Sequence, residues 1–341
     1  MTRILDRLEQ LFAIGGGPGA NRVGYTPAED EAHELASGWM RQAGIEIEVD
    51  RAGNLIGRLI GTDPERPEVW TGSHLDSVPQ GGRFDGALGV VAGLEAVERI
   101  GRQAAALAVT AFRDEERGCA GSRALEARPG AFVELHIEQG PRLADADAPL
   151  GVVTSIVGYA RGGRVVEGRA GHAGTTPMDA RDDALAKAAA EVLRIHEAAR
   201  AIEGAVATVG TLEVEPGAAN VIPARVAFSV DARAPDADRL ERLLDAVGIA
   251  DAPRVAPVEM SDPPRAALRE ELERYGLPVV ELASGAGHDA GVLAAAGVPS
   301  AMLFVRSLAG GASHSPEEES SPEDIELAVD VLAGALARLS G

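Results

Sequence analysis

The chain has 341 residues, a length that favours two domains over one small core. Its formal charge of −21 argues against a nucleic-acid partner, because phosphate binding needs clustered lysine and arginine side chains. The single cysteine, Cys119, excludes an intrachain disulfide, and no signal peptide or membrane-spanning apolar run is apparent. We therefore expect a cytoplasmic protein that contacts no membrane.

The first part of the chain alternates between strand and helix patterns. Short apolar runs predict strands at 69–72, 107–112 and 131–137, and helical spacing predicts a helix over 87–100. Histidines or acidic residues stand at or just beyond the end of each strand. In open α/β sheets, ligands bind at the carboxyl ends of the strands, so this pattern predicts a site there.

From about residue 157 the pattern becomes that of half-exposed strands and amphipathic helices. Alternation predicts strands at 164–170, 206–214 and 226–231, and helices at 179–201 and 236–247. After residue 261 the order returns to helix 265–275, strand 278–282, helix 288–296 and strand 300–305. A final helix begins after the N-cap Ser321, with Pro322 in its first turn.

These patterns predict an α/β catalytic domain with a mixed, mostly parallel sheet and flanking helices, formed by 1–157 and 261–341. Residues 158–260 form an inserted, smaller α+β domain with an antiparallel sheet and two helices, which we expect to act as a lid and in dimerisation.

Five short stretches carry the chemistry. They supply three histidines, an isolated aspartate and a pair of glutamates: His74, Asp85, Glu115, Glu116, His136 and His314. Two adjacent divalent cations need imidazole ligands, a carboxylate that bridges them and a further carboxylate to move protons. Asp76, two residues after His74, can fix the tautomer of that imidazole. The set predicts that metal-activated water attacks a carbonyl.

Each stretch alone has a more ordinary explanation. Asp85 lies in a glycine-rich turn, Glu115 and Glu116 could form a solvated acidic loop, and His136 could be a buried core histidine. Only the combination, in this order along the chain, favours the metal centre.

The order of these residues resembles the dinuclear-metal amidohydrolases of the aminoacylase/carboxypeptidase superfamily. Longer motifs are similar to those of its hydantoinase/carbamoylase branch: GSHLDSVP at 72–79, GGRFDG at 81–86, HIEQGP at 136–141, GHAGTTPM at 171–178, GAANVIP at 217–223 and SGAGHDA at 284–290. That branch holds N-carbamoyl-L-amino-acid hydrolases, β-ureidopropionases and allantoate amidohydrolases. The resemblance extends from about residue 20 to 330 and implies cleavage of a carbamoyl C–N bond. Allantoate, N-acyl amino acids and dipeptides are the alternative substrates within the superfamily.

The resemblance also implies roles for individual residues. His74 and His136 would bind one cation, Glu116 and His314 the other, and Asp85 would bridge them. Glu115 would be the general base, with Asp76 supporting the catalytic centre. Ligand atoms from His, Asp and Glu without a thiolate suit zinc, with manganese, cobalt and nickel as alternatives.

The substrate-binding residues implied by the resemblance lie outside that set. Gln139, Asn220 and Arg233 match positions that bind the amide and carboxylate of a small ureido acid. Ser284 and Gly285 lie in a loop whose backbone can approach a ligand closely. His172 would reach into the site of a second subunit and stabilise the oxyanion there, which predicts a homodimer.

One departure concerns the segment between the glutamate pair and His136. His136 follows Glu116 by twenty positions, whereas this segment is usually longer in the family. We expect the pocket wall on that side to be trimmed.

Overall fold

The computed structural model describes residues 2–341. The helices are α1 (Arg3–Phe12), α2 (Pro27–Gln42), α3 (Ala87–Ile100), α4 (Ala120–Arg123), α5 (Arg142–Asp145), α6 (Ala184–Arg200), α7 (Ala237–Val247), α8 (Asp262–Arg274), α9 (Asp289–Ala295) and α10 (Pro322–Ser340). The strands are β1 (Glu46–Val49), β2 (Leu55–Leu59), β3 (Val69–His74), β4 (Leu107–Phe112), β5 (Ala131–Ile137), β6 (Leu150–Ile156), β7 (Gly158–Glu167), β8 (Gly171–His172), β9 (Val206–Thr208), β10 (Leu212–Glu215), β11 (Val221–Ile222), β12 (Arg225–Ala234), β13 (Arg254–Val255), β14 (Val258–Glu259), β15 (Glu281–Ser284) and β16 (Ser300–Val305).

The chain divides into two compact units. The first comprises the residues up to Thr154 together with Glu259–Gly341, and the second comprises Ser155–Val258. Among residues 2–341, no helix combines the length and apolar character needed to cross a membrane.

Within residues 2–341, nine strands form the sheet of the first unit in the order β1-β2-β4-β3-β5-β16-β6-β14, with β15 paired to β6. The central pairs β3–β4, β3–β5 and β5–β16 are parallel. The flanking pairs β1–β2, β2–β4 and β6–β16 are antiparallel. The four parallel strands are buried throughout their length, which explains their uninterrupted apolar character.

The parallel register brings the carboxyl ends of these four strands to one edge of the sheet. His74, the last residue of β3, lies opposite Phe112, the last residue of β4. On the other side, His136 of β5 lies opposite Phe304 of β16. The loops after all four strands therefore open at the same edge, as expected for an α/β sheet.

Helix α3 packs closely against this sheet and brings a further turn to the same edge. Residues 87–97 of the helix are all buried. A side chain at Gly89 would lie 2.4 Å from the Leu135 carbonyl oxygen and 2.6 Å from Ser73 Cβ. The absence of a side chain at Gly89 thus permits the close packing that fixes the turn 81–86 immediately before the helix.

The second unit is an antiparallel sheet with two helices. Within residues 155–258, five strands pair in the order β10-β12-β7-β13, with β9 also paired to β12. Helices α6 and α7 share a hydrophobic core with this sheet, built from residues such as Ile195, Phe228 and Leu244. The short strands β8 and β11 pair separately, with His172 opposite Val221.

The predicted strands and helices of the catalytic unit agree with the structure wherever a long apolar run carried the prediction. Strands β3, β4, β5 and β16 and helix α3 lie where they were expected. The predicted N-cap is also confirmed, because Ser321 Oγ accepts a hydrogen bond from the Asp324 N–H of α10. Helix α2 and strands β1, β2 and β6 were not predicted.

Several predicted boundaries were wrong. The strand predicted at 164–170 is β7, which starts at Gly158 because β12 pairs along all of it. The strand predicted at 206–214 is two strands, since β9 and β10 pair with separate parts of β12. The strand predicted at 278–282 is shifted to β15.

Two helices begin at residues other than the predicted ones, because of local capping at their N-termini. The helix predicted at 179–201 begins at Ala184, because Asp183 accepts hydrogen bonds from the N–H groups of Leu185 and Ala186. The helix predicted from Arg265 begins earlier, at Asp262, with proline in its first turn.

Candidate metal and catalytic centre

The loops at the carboxyl edge of the sheet bring five predicted ligand residues together. The atoms of His74, Asp85 and His136 that could hold a cation lie within 4.8 Å of one another, and so do those of Asp85, Glu116 and His314. We call these five residues the ligand cluster. Asp85 is the residue that the two groups share.

The two oxygens of Asp85 face different partners. Oδ1 lies 3.2 Å from His136 Nε2 and 3.6 Å from His74 Nε2. Oδ2 lies 3.4 Å from His314 Nε2, which is itself 3.3 Å from Glu116 Oε2. A carboxylate whose oxygens point to separate ligand sets has the geometry needed to bridge two cations.

The histidine tautomers suit metal binding. His136 Nδ1 lies 2.9 Å from the Ile137 carbonyl oxygen, and His74 Nδ1 lies 3.2 Å from both the backbone and the Oδ1 oxygen of Asp76. Because these oxygens can only accept, each Nδ1 carries the hydrogen, which leaves the Nε2 lone pair of the neutral ring facing Asp85.

The cluster fits a cation in a further respect. His136 Nε2 is buried and makes no hydrogen bond with residues 2–341. A buried polar atom without a partner is costly, and a cation among His136, His74 and Asp85 would supply one. Although burial lowers it, the nearby Asp85 carboxylate raises the pKa of His136 to about 9. Binding of a cation would therefore release protons from these rings.

Asp76 ties the strand that bears His74 to the loop that bears the glutamates. Its carboxylate accepts hydrogen bonds from the N–H groups of Glu115 (3.0 Å) and Glu116 (3.2 Å). Although burial opposes it, contact with His74 and these donors keeps the pKa of Asp76 below its usual value. Asp76 is thus placed to orient both His74 and the glutamate pair.

Glu115 lies beside the cluster without belonging to either ligand group. Its Oε2 is 3.7 Å from His74 Nε2, and its Oε1 accepts a hydrogen bond from the Cys119 thiol at 3.5 Å. Burial, with the neighbouring carboxylates Glu116 and Asp85, raises the pKa of Glu115 to about 8 despite the opposing effect of His74. A carboxylate of this kind can accept and return a proton near neutral pH.

Gln139 contacts the cluster directly, which its predicted substrate role did not anticipate. Its Nε2 donates to Asp85 Oδ2 (2.9 Å) and to Ser313 Oγ (3.1 Å). Its Oε1 is buried and accepts no hydrogen bond from residues 2–341. The amide nitrogen is therefore held by Asp85 and Ser313, while the amide oxygen meets no donor among residues 2–341.

In the loop 284–287, the two predicted substrate-binding residues have different surroundings. Ser284 is buried, and its hydroxyl oxygen lies 2.8 Å from His288 Nε2. Ser284 Oγ also accepts a hydrogen bond from the Ala286 N–H at 3.2 Å. Gly285 is exposed and has open space where a side chain would be.

The other predicted residues lie in the second unit. His172 and Asn220 are neighbours there, because the Ala173 N–H donates to the Asn220 carbonyl oxygen at 3.0 Å. Both are exposed, and His172 Nδ1 accepts a hydrogen bond from the Gly174 N–H at 3.0 Å. That bond leaves Nε2 as the ring nitrogen that can donate.

Arg233 lies on the sheet of the second unit beside a second arginine. Its Nε donates to Asp231 Oδ1 at 2.9 Å, and Arg161 Nε donates to Asp231 Oδ2 at 2.7 Å. Both guanidinium groups also lie over the ring of Tyr159. Two guanidinium groups thus contact the same carboxylate.

Sequence reasoning assigned no role to two groups near the ligand cluster. Glu318 is buried and accepts hydrogen bonds from the Phe84 and Asp85 N–H groups. Glu134 and His288 form a third possible ligand group with His136. Their proximity to known motif residues was visible in the sequence, but burial and direction were not.

The short segment after Glu116 is compact. The Gly118 and Cys119 N–H groups both donate to the Glu115 carbonyl oxygen at 2.8 Å, and α4 follows at once. The chain then reaches Gly130, whose N–H donates to the Glu68 carbonyl oxygen. Between Glu116 and β5 the chain thus forms one short helix, α4.

Comparison with known proteins yields consistent matches along the chain. The sequence model of Peptidase family M20/M25/M40 matches residues 70–338. An N-carbamoyl-L-amino acid amidohydrolase of Geobacillus stearothermophilus is 38% identical over 395 residues, which cover 97% of this chain and 96% of that protein. An allantoate amidohydrolase of Bacillus subtilis is 33% identical and covers 100% and 97% of the two chains. The crystal structure of an amidase of the hydantoinase/carbamoylase family from Burkholderia multivorans has a TM-score of 0.90 and 31% identity, over 99% and 97% of the two chains.

The first of these alignments also bears on chain length. Its span of 395 residues exceeds the 341 residues of this chain, so it passes over gaps in this sequence. This chain therefore lacks segments that the Geobacillus protein has.

Proposed function

Because this chain belongs to peptidase family M20/M25/M40 and is a hydantoinase/carbamoylase-type amidase, we propose that it cleaves the carbamoyl C–N bond of N-carbamoyl amino acids. The enzyme is an amidohydrolase, and the proposed products are an amino acid, ammonia and carbon dioxide. The single observation that carries the proposal is Asp85, whose two oxygens face two separate sets of ligand residues.

The proposed centre contains two divalent cations per subunit. His74 and His136 would hold one, Glu116 and His314 the other, and Asp85 both. When bound, the cations would acidify a water molecule and polarise the substrate carbonyl. Zinc suits this set of imidazole and carboxylate ligands, and manganese, cobalt or nickel are the alternatives.

Glu115 is the proposed general base. It would take a proton from the attacking water and deliver it to the leaving nitrogen. Support comes from its position beside His74 and from the raised pKa that burial gives it. Asp76 would keep the backbone of Glu115 in place through the hydrogen bond that it accepts.

Gln139 is proposed to bind the ureido group. Its buried Oε1 is an acceptor that the N–H₂ of a ureido substrate could satisfy, while Nε2 stays bonded to Asp85. A simple N-acyl group has no such donor beyond its amide N–H. This difference favours a ureido substrate over an N-acyl amino acid.

The substrate carboxylate is proposed to bind Arg233 and Asn220, and Ser284 and Gly285 are proposed to contribute backbone contacts to the substrate. The planar guanidinium group of Arg233 could donate two parallel hydrogen bonds to a carboxylate. His172 is proposed to donate from Nε2 to the developing oxyanion of a partner subunit, which makes the enzyme a homodimer. We also propose that the enzyme acts in the cytoplasm.

A substrate panel tests the proposal. The protein is freed of metal by chelation, loaded with Zn²⁺, Mn²⁺ or Co²⁺, and given N-carbamoyl amino acids, N-acetyl amino acids and dipeptides with the same side chains. We expect ammonia release from the carbamoyl series, with kcat/KM at least tenfold above the hydrolysis of the other two series. Hydrolysis of dipeptides without ammonia release from any ureido acid would refute the proposal.

Allantoate hydrolysis is the second candidate, favoured by the relative of Bacillus subtilis that aligns with the whole chain. Allantoate contains two ureido groups on one carbon, so it is bulkier near the scissile bond than an N-carbamoyl amino acid. Including allantoate in the panel separates the two candidates, because the better substrate has the higher kcat/KM.

A further inference from the structure

Glu318 joins two parts of the ligand cluster that are far apart in sequence. The side chain is buried, and its Oε1 accepts hydrogen bonds from the N–H groups of Phe84 (2.6 Å) and Asp85 (3.0 Å). Its Oε2 accepts a hydrogen bond from Ser313 Oγ at 3.2 Å. One carboxylate therefore holds the backbone of Asp85 and the residue next to His314.

The turn before α3 is shaped around this carboxylate. A side chain at Gly82 would lie 2.1 to 2.2 Å from the carboxyl atoms of Glu318. Gly82 thus leaves the space that Glu318 occupies. Since both oxygens are already bonded and Glu318 is in none of the three possible ligand groups of residues 2–341, its contacts identify it as a support and not as a ligand.

The two halves of the cluster differ in how they are held. His74 and His136 lie on the buried strands β3 and β5, which the sheet fixes by backbone pairing. His314 lies in a loop, its side chain is 52% exposed, and its backbone has φ of +54°, which is unfavourable for a residue other than glycine. Two of the three residues of the first group thus lie on paired strands, whereas Asp85, Glu116 and His314 of the second group all lie in loops.

We propose that Glu318 is a positioning residue that sets the distance between Asp85 and His314, and that the cation bound by Glu116 and His314 depends on it. The inference rests on the proposed dinuclear function. It goes further by separating the two cations: one held by rigid strands, and one held by a loop that Glu318 braces. Removal of Glu318 should weaken the second cation selectively.

The experiment measures Zn²⁺ binding to the full chain by equilibrium dialysis against buffered free Zn²⁺, without substrate. Wild-type protein is expected to bind two Zn²⁺ per subunit. Loss of groups that orient metal ligands typically costs 10- to 100-fold in affinity, so Glu318→Ala should weaken one Zn²⁺ by that factor and the other by less than threefold. Glu318→Gln keeps an acceptor for the two N–H groups and should show a smaller loss than Glu318→Ala.

Two further variants assign the weakened cation. If it is the one bound by His314, adding His314→Ala to Glu318→Ala should not change the affinity of the remaining, tight Zn²⁺. Ser313→Ala, which removes the link between Glu318 and the His314 loop together with the contacts of Ser313 to Gln139 and Asp85, should weaken the same cation. Glu317→Ala is the matched control, because Glu317 is the adjacent exposed glutamate, and it should bind both Zn²⁺ as wild type does.

Each result bears on the inference. Equal loss of both Zn²⁺, or wild-type affinity for both in Glu318→Ala, would overturn it while leaving the dinuclear centre intact. Binding of no Zn²⁺ by wild-type protein would instead refute the centre itself. If Glu318→Ala does not fold, as judged by circular dichroism, Glu318→Gln and Ser313→Ala decide the question, and wild-type affinities in both would overturn the inference.

Discussion

Glu115 and Glu116 are adjacent, yet the structure gives them different surroundings. Glu116 faces His314, whereas Glu115 faces His74 and belongs to no ligand group. Glu115→Gln removes the proton acceptor but preserves size and hydrogen bonding. We expect kcat for ureido hydrolysis to fall by about 10²- to 10⁴-fold, because general base catalysis contributes on that order.

The control for this prediction is metal content. Zn²⁺ bound per subunit, measured by mass spectrometry of the purified variant, should equal that of wild type. A Glu115→Gln variant with full activity would exclude Glu115 as the base, and one that loses a cation would make it a ligand.

Gly86 lies between Asp85 and α3, where a side chain would meet His74. A Cβ there would lie 2.4 to 2.5 Å from the His74 ring, and the backbone has φ of +64°. Gly101, at the other end of α3, has φ of +63° and no atom within 4 Å of its Cβ position. Both glycines have positive φ, but ψ is −53° at Gly86 and −160° at Gly101, and of the two only Gly86 also lacks space for a side chain.

We expect Gly101→Ala to lower the free energy of unfolding by about 1 to 3 kcal/mol, because its φ and ψ lie in a region that essentially only glycine adopts. Gly86→Ala should cost a further 1 to 3 kcal/mol from overpacking and should reduce Zn²⁺ binding, because the ring of His74 must move. Urea denaturation of both variants measures the difference. Wild-type Zn²⁺ affinity in Gly86→Ala would mean that the ring of His74 does not move.

Among the secondary-structure elements, helix α3 both packs against the sheet and begins directly after the turn that contains Asp85. Gly89 has no room for a side chain, whereas Gly38 in α2 has no atom within 4 Å of its Cβ position. Gly89→Ala should destabilise the protein by about 1 to 3 kcal/mol and lower kcat/KM, since α3 and the turn with Asp85 must shift. Gly38→Ala should instead stabilise it by about 0.4 to 1 kcal/mol, because alanine reduces the entropy of the unfolded chain. Thermal unfolding and turnover of the pair test this, and stabilisation by Gly89→Ala would contradict it.

Elements in the centre of the sheet could be predicted from the sequence because burial on both faces leaves a continuous apolar run. Strands β3, β4, β5 and β16 have that property. Strand β1 could not be found, since its residues are mostly exposed and it is stabilised by pairing with β2. A local sequence pattern does not show which strand an edge strand will pair with, so it cannot predict such a strand.

The same limit applies to the centre. Histidines and acids at strand ends indicated the ligand cluster, because strand direction alone brings such residues to one edge. Glu318 and the contact between Gln139 and Asp85 could not be predicted, since both depend on how loops fold back over that edge. The prediction for the second unit failed for a related reason. The stretch predicted as one strand forms two strands, β9 and β10, because they pair with separate parts of β12.

For the protein as a whole, one buried histidine should make the free energy of unfolding depend on pH. His33 in α2 is buried, and burial, with Arg113 nearby, lowers its pKa from 6.5 to about 3. The unfolded chain binds a proton below about pH 6.5, whereas the folded chain does so only near pH 3. The folded state is therefore destabilised as pH falls through 6.5, by about 1 kcal/mol for each pH unit below that value.

His33→Gln removes this contribution. Urea denaturation at pH 7.5 and pH 5.5 should show that the free energy of unfolding falls by about 1 kcal/mol more for wild type than for the variant between these conditions. An identical loss in both proteins would mean that His33 is protonated in the folded state.

The proposed homodimer makes a prediction that only the assembled molecule can test. His172 is exposed in the second unit, and its Nε2 is the ring nitrogen left to donate. If each active site combines Glu115 of one subunit with the partner's His172, then His172→Ala and Glu115→Gln homodimers each have only defective sites. A heterodimer of the two variants has one site with both defects and one with neither.

Mixing the two inactive proteins under conditions that exchange subunits should therefore restore activity. Random exchange of equal amounts makes half of the dimers heterodimers, each with one intact site, so activity should approach about one quarter of wild type. His196→Ala, at an exposed histidine of the same unit, is the control and should be active without mixing. If the mixture stays inactive although subunit exchange is verified by mass spectrometry, His172 and Glu115 act within one chain and the shared-site arrangement is wrong.

Restored activity would show that the second unit takes part in catalysis. The carbonyl would be attacked in one subunit while its oxyanion is stabilised by the other.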